Sequence, residues 1–248
     1  MITVDFNSDL GESFGNYTIG DDAMVLPMIT SANVACGFHA GDPDVMAKTV
    51  TLAQQNQVAV GAHPGYPDLA GFGRRKMAMS HQEVADMVTY QVAALQGFLP
   101  DHHLHHVKPH GALYNAAAKD FELALTICEG IKRVDPSVPL YGLANSELIR
   151  AGQRSGLPVR SEVFADRAYQ ADGSLVPRSQ MGAVLTDPQQ VAQRALTMVT
   201  TGTVTAITGE TVKIVADTIC VHGDNAAARQ LVTTMRAVFD DTGINIHA

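Results

Sequence analysis

Ser31-Ala32-Asn33-Val34-Ala35-Cys36-Gly37-Phe38-His39-Ala40-Gly41-Asp42 is the stretch that decides the fold. Its first half, Ser31 to Cys36, is small and β-favouring, which predicts a short buried strand. Gly37 and Gly41 then allow a sharp turn at positive φ. Asp42 followed by Pro43 predicts a helix start, with a carboxylate cap and proline in the first turn. Asn33, Cys36, His39 and Asp42 are thereby gathered on a glycine-rich turn at the carboxyl end of a buried strand. That is where α/β folds place their chemistry.

The same arrangement recurs on both sides. Thr3 to Asp9 alternates as a strand and runs into Asn7-Ser8-Asp9-Leu10-Gly11-Glu12. Val58 to His63 is a strand running into Gly61-Ala62-His63-Pro64-Gly65-Tyr66-Pro67-Asp68, and His106 to His110 reads as another, ending in Lys108-Pro109-His110-Gly111-Ala112-Leu113-Tyr114. Further strands are expected at Leu140 to Ala144, Val159 to Ala165 and Thr218 to Val221, the last ending in His222-Gly223-Asp224-Asn225. Helices are expected from Pro43 to Gln55, from the Ser80–Glu83 capping box to Phe98, and from Asp120 to Arg133. Others begin near Ser146, at Asp187-Pro188 and at Ala226. Val204 to Ile207 and Val212 to Val215 flank Gly209-Glu210 as a hairpin.

Alternating strand and helix with short connections imply a parallel sheet. Asp9, His39, His63, His110 and His222 lie at or just beyond the carboxyl ends of five strands, and Glu162, Asp166 and Arg167 at a sixth. Those groups converge if the sheet closes, because the carboxyl ends then ring one mouth. An open doubly wound sheet gathers only those near its switch point. The expectation is an α/β fold: an irregular seven-stranded (β/α) barrel, one domain over residues 1–248.

With 248 residues, 46% of them hydrophobic and 17% charged, the chain can bury a sizeable core. A net charge of −8 and the absence of a Lys/Arg run exclude a nucleic-acid backbone as the expected partner. No stretch approaches the roughly 18 apolar residues of a membrane span. Asp5 interrupts the amino terminus too early for a signal sequence, so a cytoplasmic protein is expected. Cys36, Cys128 and Cys220 are odd in number and far apart, and read as buried reduced thiols. Neither the Walker pattern nor Gly-x-Gly-x-x-Gly after a strand is present, so any ATP dependence needs another polypeptide.

His39, His63, His110 and His222 hold equivalent positions after strands, which favours function for the set. His102, His103, His105 and His106 run up to and into the start of their strand and read as a solvated loop. Asp9 and Glu12 face the mouth as general base or metal ligand more than as simple caps. Lys108, two residues from His110, shares its face and can meet an anionic substrate inside a barrel. Cys36 is as much a buried small residue as a nucleophile, and Arg74 and Arg75 divide evenly between anion binding and solvation.

The blocks at Asn7–Glu12, Asn33–Asp42, Gly61–Asp68, Val107–Tyr114, Glu162–Arg167 and Val221–Asp224 together resemble the LamB/YcsF family, over residues 3–225. The resemblance implies a barrel similar to the glycoside hydrolase/deacetylase superfamily. It also implies hydrolytic ring opening of 5-oxo-L-proline to L-glutamate coupled to ATP hydrolysis, with 5-oxoprolinase B and C subunits as partners that bind the ATP. Residues and resemblance together set out Asp9, Glu12, His39, His63 and His110 as catalytic candidates. Asn33, Asp42, Lys108, Glu162, Asp166, Arg167 and His222 are the substrate-binding candidates, with Lys108 or Arg167 on the substrate carboxylate. Asp9, His63 and His110 are the best matches to the Asp-His-His sets that hold a divalent metal in related barrels. Two rivals stand beside this reading: a free-standing metal-dependent amide or sugar deacetylase, and a non-catalytic carbohydrate- or lactam-binding protein. A homo-oligomer is compatible with each.

Overall fold

Ser31–Ala35 forms strand β2, and all five of its residues are buried. Small and β-branched residues covered on both faces belong in the interior of a parallel sheet. β2 pairs in parallel with β1 (Thr3–Leu10) on one side and β3 (Ala59–His63) on the other. The structure is a computed structural model, and it describes residues 2–222 and 226–248. Beyond β1 lie β8 (Thr218–Cys220), β5 (Val159–Val163) and β4 (Leu140–Leu143), all parallel. The two edges, β3 and β4, meet at Val107, which bridges Ala62 on one side and Leu140 on the other. Backbone bonds of 2.9 Å from Lys108 N–H to Ala62 O and from Tyr141 N–H to Val107 O hold that seam.

The strand expected at His106 to His110 is thus a one-residue bridge. Pro109 has no N–H for a ladder. The His110 N–H turns instead to Pro64 O, at 2.8 Å, as the chain enters a short helix, α4 (Gly111–Ala117), which the sequence pattern did not announce. The sheet is irregular at this position for that reason.

Helices cover the outside, most starting where side chains cap them. Asp42 accepts from Val45 N–H to open α2 (Pro43–Gln55), and Ser80 with Glu83 forms the capping box of α3 (His81–Gln96). Asp120 opens α5 (Phe121–Val134) and Asp187 opens α7 (Pro188–Thr201); α6 (Glu147–Ser155) and α8 (Ala226–Thr242) complete the layer. One apolar core runs between helices and sheet, from Phe6, which meets Phe239 edge-on, to Val232 and Ile244. The hairpin β6 (Thr203–Thr205) and β7 (Thr211–Lys213) pairs antiparallel as expected. The short α1 (Asp22–Val25), and β9 (Asn245–Ile246), which pairs with β1, were not anticipated. Gly223, Asp224 and Asn225, expected after the last strand, lie outside the described residues.

Alternation along β1 sends Asp5, Asn7 and Asp9 to one face, and their partners there form three successive layers. At the floor, Asp5 accepts from the hydroxyls of Thr30 (2.6 Å), Ser31 (2.7 Å) and Thr218 (2.6 Å). In the middle, Asn7 accepts from Asn33 Nδ2 (2.8 Å) and Lys108 Nζ (3.0 Å). Asp9 forms the mouth. A polar interior of this kind is tolerable because its groups bond one another.

Candidate active site

Asp9 ends the inward face of β1, and each of its oxygens has a different task. Oδ1 accepts from Asn33 Nδ2 at 2.8 Å and pairs with Lys108 Nζ at 3.1 Å. Oδ2 lies 3.3 Å from His63 Nε2. Burial alone would raise the Asp9 carboxyl, but His63 and Lys108 outweigh it and hold the group well below the usual carboxylate range. Asp9 is therefore ionised at neutral pH.

The hydrogen bonds fix the tautomers of two histidines. His63 Nδ1 is 2.7 Å from the carbonyl of Lys108, and His110 Nε2 is 2.9 Å from that of Phe72. A carbonyl only accepts, so those nitrogens carry the protons. In neutral rings His63 Nε2 and His110 Nδ1 are then both lone-pair atoms, yet they lie 2.9 Å apart with Asp9 Oδ2 beside them. Three acceptors facing one another require a proton or a cation between them.

His39 completes the cluster. It stacks on His110 with centroids 3.8 Å apart and planes 2° from parallel. It is fully buried, and neither ring nitrogen has a hydrogen-bond partner among the described residues. Gly73, at φ +62°, keeps the neighbouring backbone free of a side chain that would press on His39 and His110. Burial first, then His110 and His63, hold the His39 ring well below the usual imidazole range; burial and His63 bring His110 down to about 3. Glu12 faces the same rings, and burial followed by the charge of Asp9 raises its carboxyl to about 8. Glu12, His39, His63 and His110 offer ligand atoms all within 4.8 Å of one another, a set that could hold a metal ion. Of the three ligands anticipated, His63 and His110 belong to this set, and Asp9 adjoins it, with Oδ2 3.3 Å from His63 Nε2 and Oδ1 bonded to Lys108 and Asn33.

Asp9, Glu12, His63, Lys108, His110 and His222 all line one pocket of about 720 Å³. His222 stands at its wall, 3.7 Å from Asp166. Arg74, Arg167 and Arg178 also line it, Arg74 lying over the Phe72 ring. Arg75 is instead paired with Asp68.

Several candidates have other work. Asp42 spends its carboxylate on the Val45 and Gly15 N–H groups and does not line the pocket. Asn33 is buried beneath the mouth. Glu162 is sealed between Lys108 Nζ (2.7 Å) and the Tyr114 hydroxyl (2.5 Å), because β5 turns it into the barrel. Lys108 is already matched to Asp9 and Glu162, which outweigh the effect of burial and keep its amine charged. The Arg167 guanidinium donates to the carbonyls of Val176 (2.7 Å) and Ala183 (3.3 Å). Cys36 is buried, and burial pushes its thiol up to about 12, which disqualifies it as a nucleophile. His106, read as a solvated loop residue, is fully buried inside the barrel. Asn7 and Tyr114 were also overlooked; for Asn7 the signal was its period-two spacing from Asp9.

The model of the LamB/YcsF family matches residues 4–248. A Limosilactobacillus fermentum protein, named as the A subunit of 5-oxoprolinase, is 68% identical over 248 residues, covering 100% of both chains. The Bacillus subtilis protein of the same name is 52% identical, covering 100% of this chain and 97% of its own. Among solved structures, a lactam utilization protein from Thermus thermophilus superposes with a TM-score of 0.95 at 44% identity, covering 100% of both chains.

Proposed function

This chain belongs to the LamB/YcsF family, and from that premise we propose that it is the A subunit of an ATP-dependent 5-oxoprolinase, which hydrolyses 5-oxo-L-proline to L-glutamate. The observation that carries this reading is the end-to-end likeness to proteins of that name.

An unstrained lactam is a poor electrophile, and this chain has no phosphate loop. A partner protein transfers the γ-phosphoryl group of ATP to the lactam oxygen, and ADP leaves. In the pocket, water adds to C5 and gives its proton to the acceptors gathered at Asp9, His63 and His110. The C5–N bond then breaks as the ring nitrogen takes a proton from the same cluster. A second water releases phosphate from the acyl phosphate that remains. The substrate carboxylate is met by Arg74 or Arg178 at the pocket wall, since Lys108 and Arg167 are engaged elsewhere. An ATP-coupled reaction and three free cysteines suit the cytoplasm; among the described residues no helix is long and apolar enough to cross a membrane.

The test is reconstitution. The chain alone is expected to form little glutamate and hydrolyse no ATP, and addition of the B and C subunits restores both activities in step. ATP hydrolysis by the isolated chain would overturn this division of labour. ATP-independent release of acetate from an acetylated amide would establish the deacetylase reading instead.

The donor set Glu12, His39, His63 and His110 fits a divalent ion such as zinc, with one carboxylate oxygen and three imidazole nitrogens. The orphaned nitrogens of His39 and the facing lone pairs of His63 and His110 support that fit. A bound ion would supply a water of lowered pKa. Protein purified without chelator is expected to carry about one divalent ion per chain by elemental analysis, and His39→Ala to lose it. Metal-free wild-type protein with full activity in the complex would remove the ion from the reaction.

A further inference from the structure

His106 enters the barrel from below the site and reaches its chemistry through a single intermediary. Its Nε2 lies 2.6 Å from Asn33 Oδ1, and Asn33 Nδ2 is 2.8 Å from both Asn7 Oδ1 and Asp9 Oδ1. These assignments follow from chemistry. The Lys108 ammonium can only donate, so Asn7 presents oxygen to it, at 3.0 Å. Asn33 must then donate to Asn7 and to the Asp9 carboxylate, which turns its own oxygen to His106. His106 Nε2 therefore carries the proton, and Nδ1 accepts from His105 Nδ1 at 3.0 Å.

The ring has one pose. It stacks on Tyr141 with centroids 3.9 Å apart and planes 13° from parallel. It fills the space left by Gly61, where any side chain would collide with it.

We propose that His106 is a positioning residue for ring opening: it locks the Asn33 amide so that Asn33 donates to Asp9 Oδ1 and leaves Oδ2 aimed at His63. Without the lock the Asn33 oxygen is buried with no donor, and the amide, held at Nδ2 alone, can swing away from Asp9 Oδ1. A residue that only filled space would be replaceable by any ring of similar size. The link to ring opening rests on the function proposed above; the hydrogen-bond lock does not.

The test uses His106→Phe, which keeps the stacking on Tyr141 but has no donor, and His106→Gln, which keeps an N–H. In the reconstituted complex His106→Phe is expected to lower kcat about ten- to a hundredfold with KM within about twofold, the scale seen when support of a reacting group is lost. His106→Gln is expected to recover most of the loss, and His106→Phe to add nothing in an Asn33→Ala background. A kcat within about twofold of wild type, equal losses for Phe and Gln, or losses that multiply in the double variant would overturn the proposal. Hydrogen exchange of the Asn33 side-chain amide, followed by NMR in the isolated chain, reads the lock without any substrate. His106→Phe is expected to speed it at least about tenfold, and unchanged exchange overturns the lock. If His106→Phe does not fold, His106→Gln and Asn33→Ala carry the same comparison. A wild-type complex that ignores 5-oxoproline defeats the function reading alone, and the exchange result still judges the lock.

Discussion

Asp9→Asn is expected to lower glutamate formation by the reconstituted complex at least about a thousandfold, the scale lost when the carboxylate beside a catalytic imidazole is neutralised. Asn has the same shape, so the barrel is left standing and the charge alone is removed. That charge has two consequences in the wild-type site. Oδ2 faces His63 Nε2 at 3.3 Å as the anionic member of the acceptors that receive the water proton, while Oδ1 ties the cluster to Lys108 at 3.1 Å. An Asn in this place turns its oxygen to one of Lys108 and His63 and its N–H to the other, and in neither arrangement keeps the anionic acceptor of the cluster. Glutamate release measured against 5-oxoproline, ATP and the partner subunits decides the matter. A loss smaller than about tenfold would remove Asp9 from the mechanism.

Lys108→Met is expected to cost about 3–5 kcal/mol of folding stability, as when one partner of a buried ion pair is deleted. The amine lies 2.7 Å from Glu162 and 3.1 Å from Asp9, with only 4% of its side chain exposed. Removing it leaves two carboxylates of one sign in the barrel interior with no cation between them. Lys108→Met combined with Glu162→Gln is expected to regain a good part of the loss, since one uncompensated charge goes with the second change. Denaturant midpoints of the three proteins provide the measurement. A single-variant loss below about 1 kcal/mol, the value of an exposed pair, would show that Lys108 is not the counter-ion of this layer.

Local chemistry carried much of the fold into the sequence. Asp42-Pro43, Ser80 with Glu83, and Asp187-Pro188 announce helix starts because a cap and its N–H partner are two or three residues apart. Ser31–Ala35 announces a buried strand because small and branched side chains repeat along it. The order of such elements is enough to require a parallel sheet. It is enough, too, to put Asp9, His63 and His110 at one end of it. The segment around Val107 reads as a full strand from its apolar content, but Pro109 removes a ladder donor and leaves a single bridge. The bridge to Ala62 and Leu140 comes from neighbours far along the chain.

The succession of strands and helices, and the end of the barrel where chemistry gathers, are legible along the chain because both follow from contacts within one helical turn or one strand. Which side chains meet depends on how distant segments pack. His106 closes a histidine-rich run with the look of a solvated loop, yet Gly61 and Tyr141 receive its ring in the interior. Lys108 is a plausible anion binder until β5 brings Glu162 to its amine and β1 brings Asp9. Glu12 and His39 stand apart from His63 and His110 along the chain, and the fold brings their ligand atoms within 4.8 Å of one another while Asp9 shares one oxygen with Lys108 and Asn33 and turns the other to His63. Charge balance and hydrogen-bond direction are properties of groups within about 3 Å of each other, and here Lys108 meets Asn7 from 101 residues away along the chain.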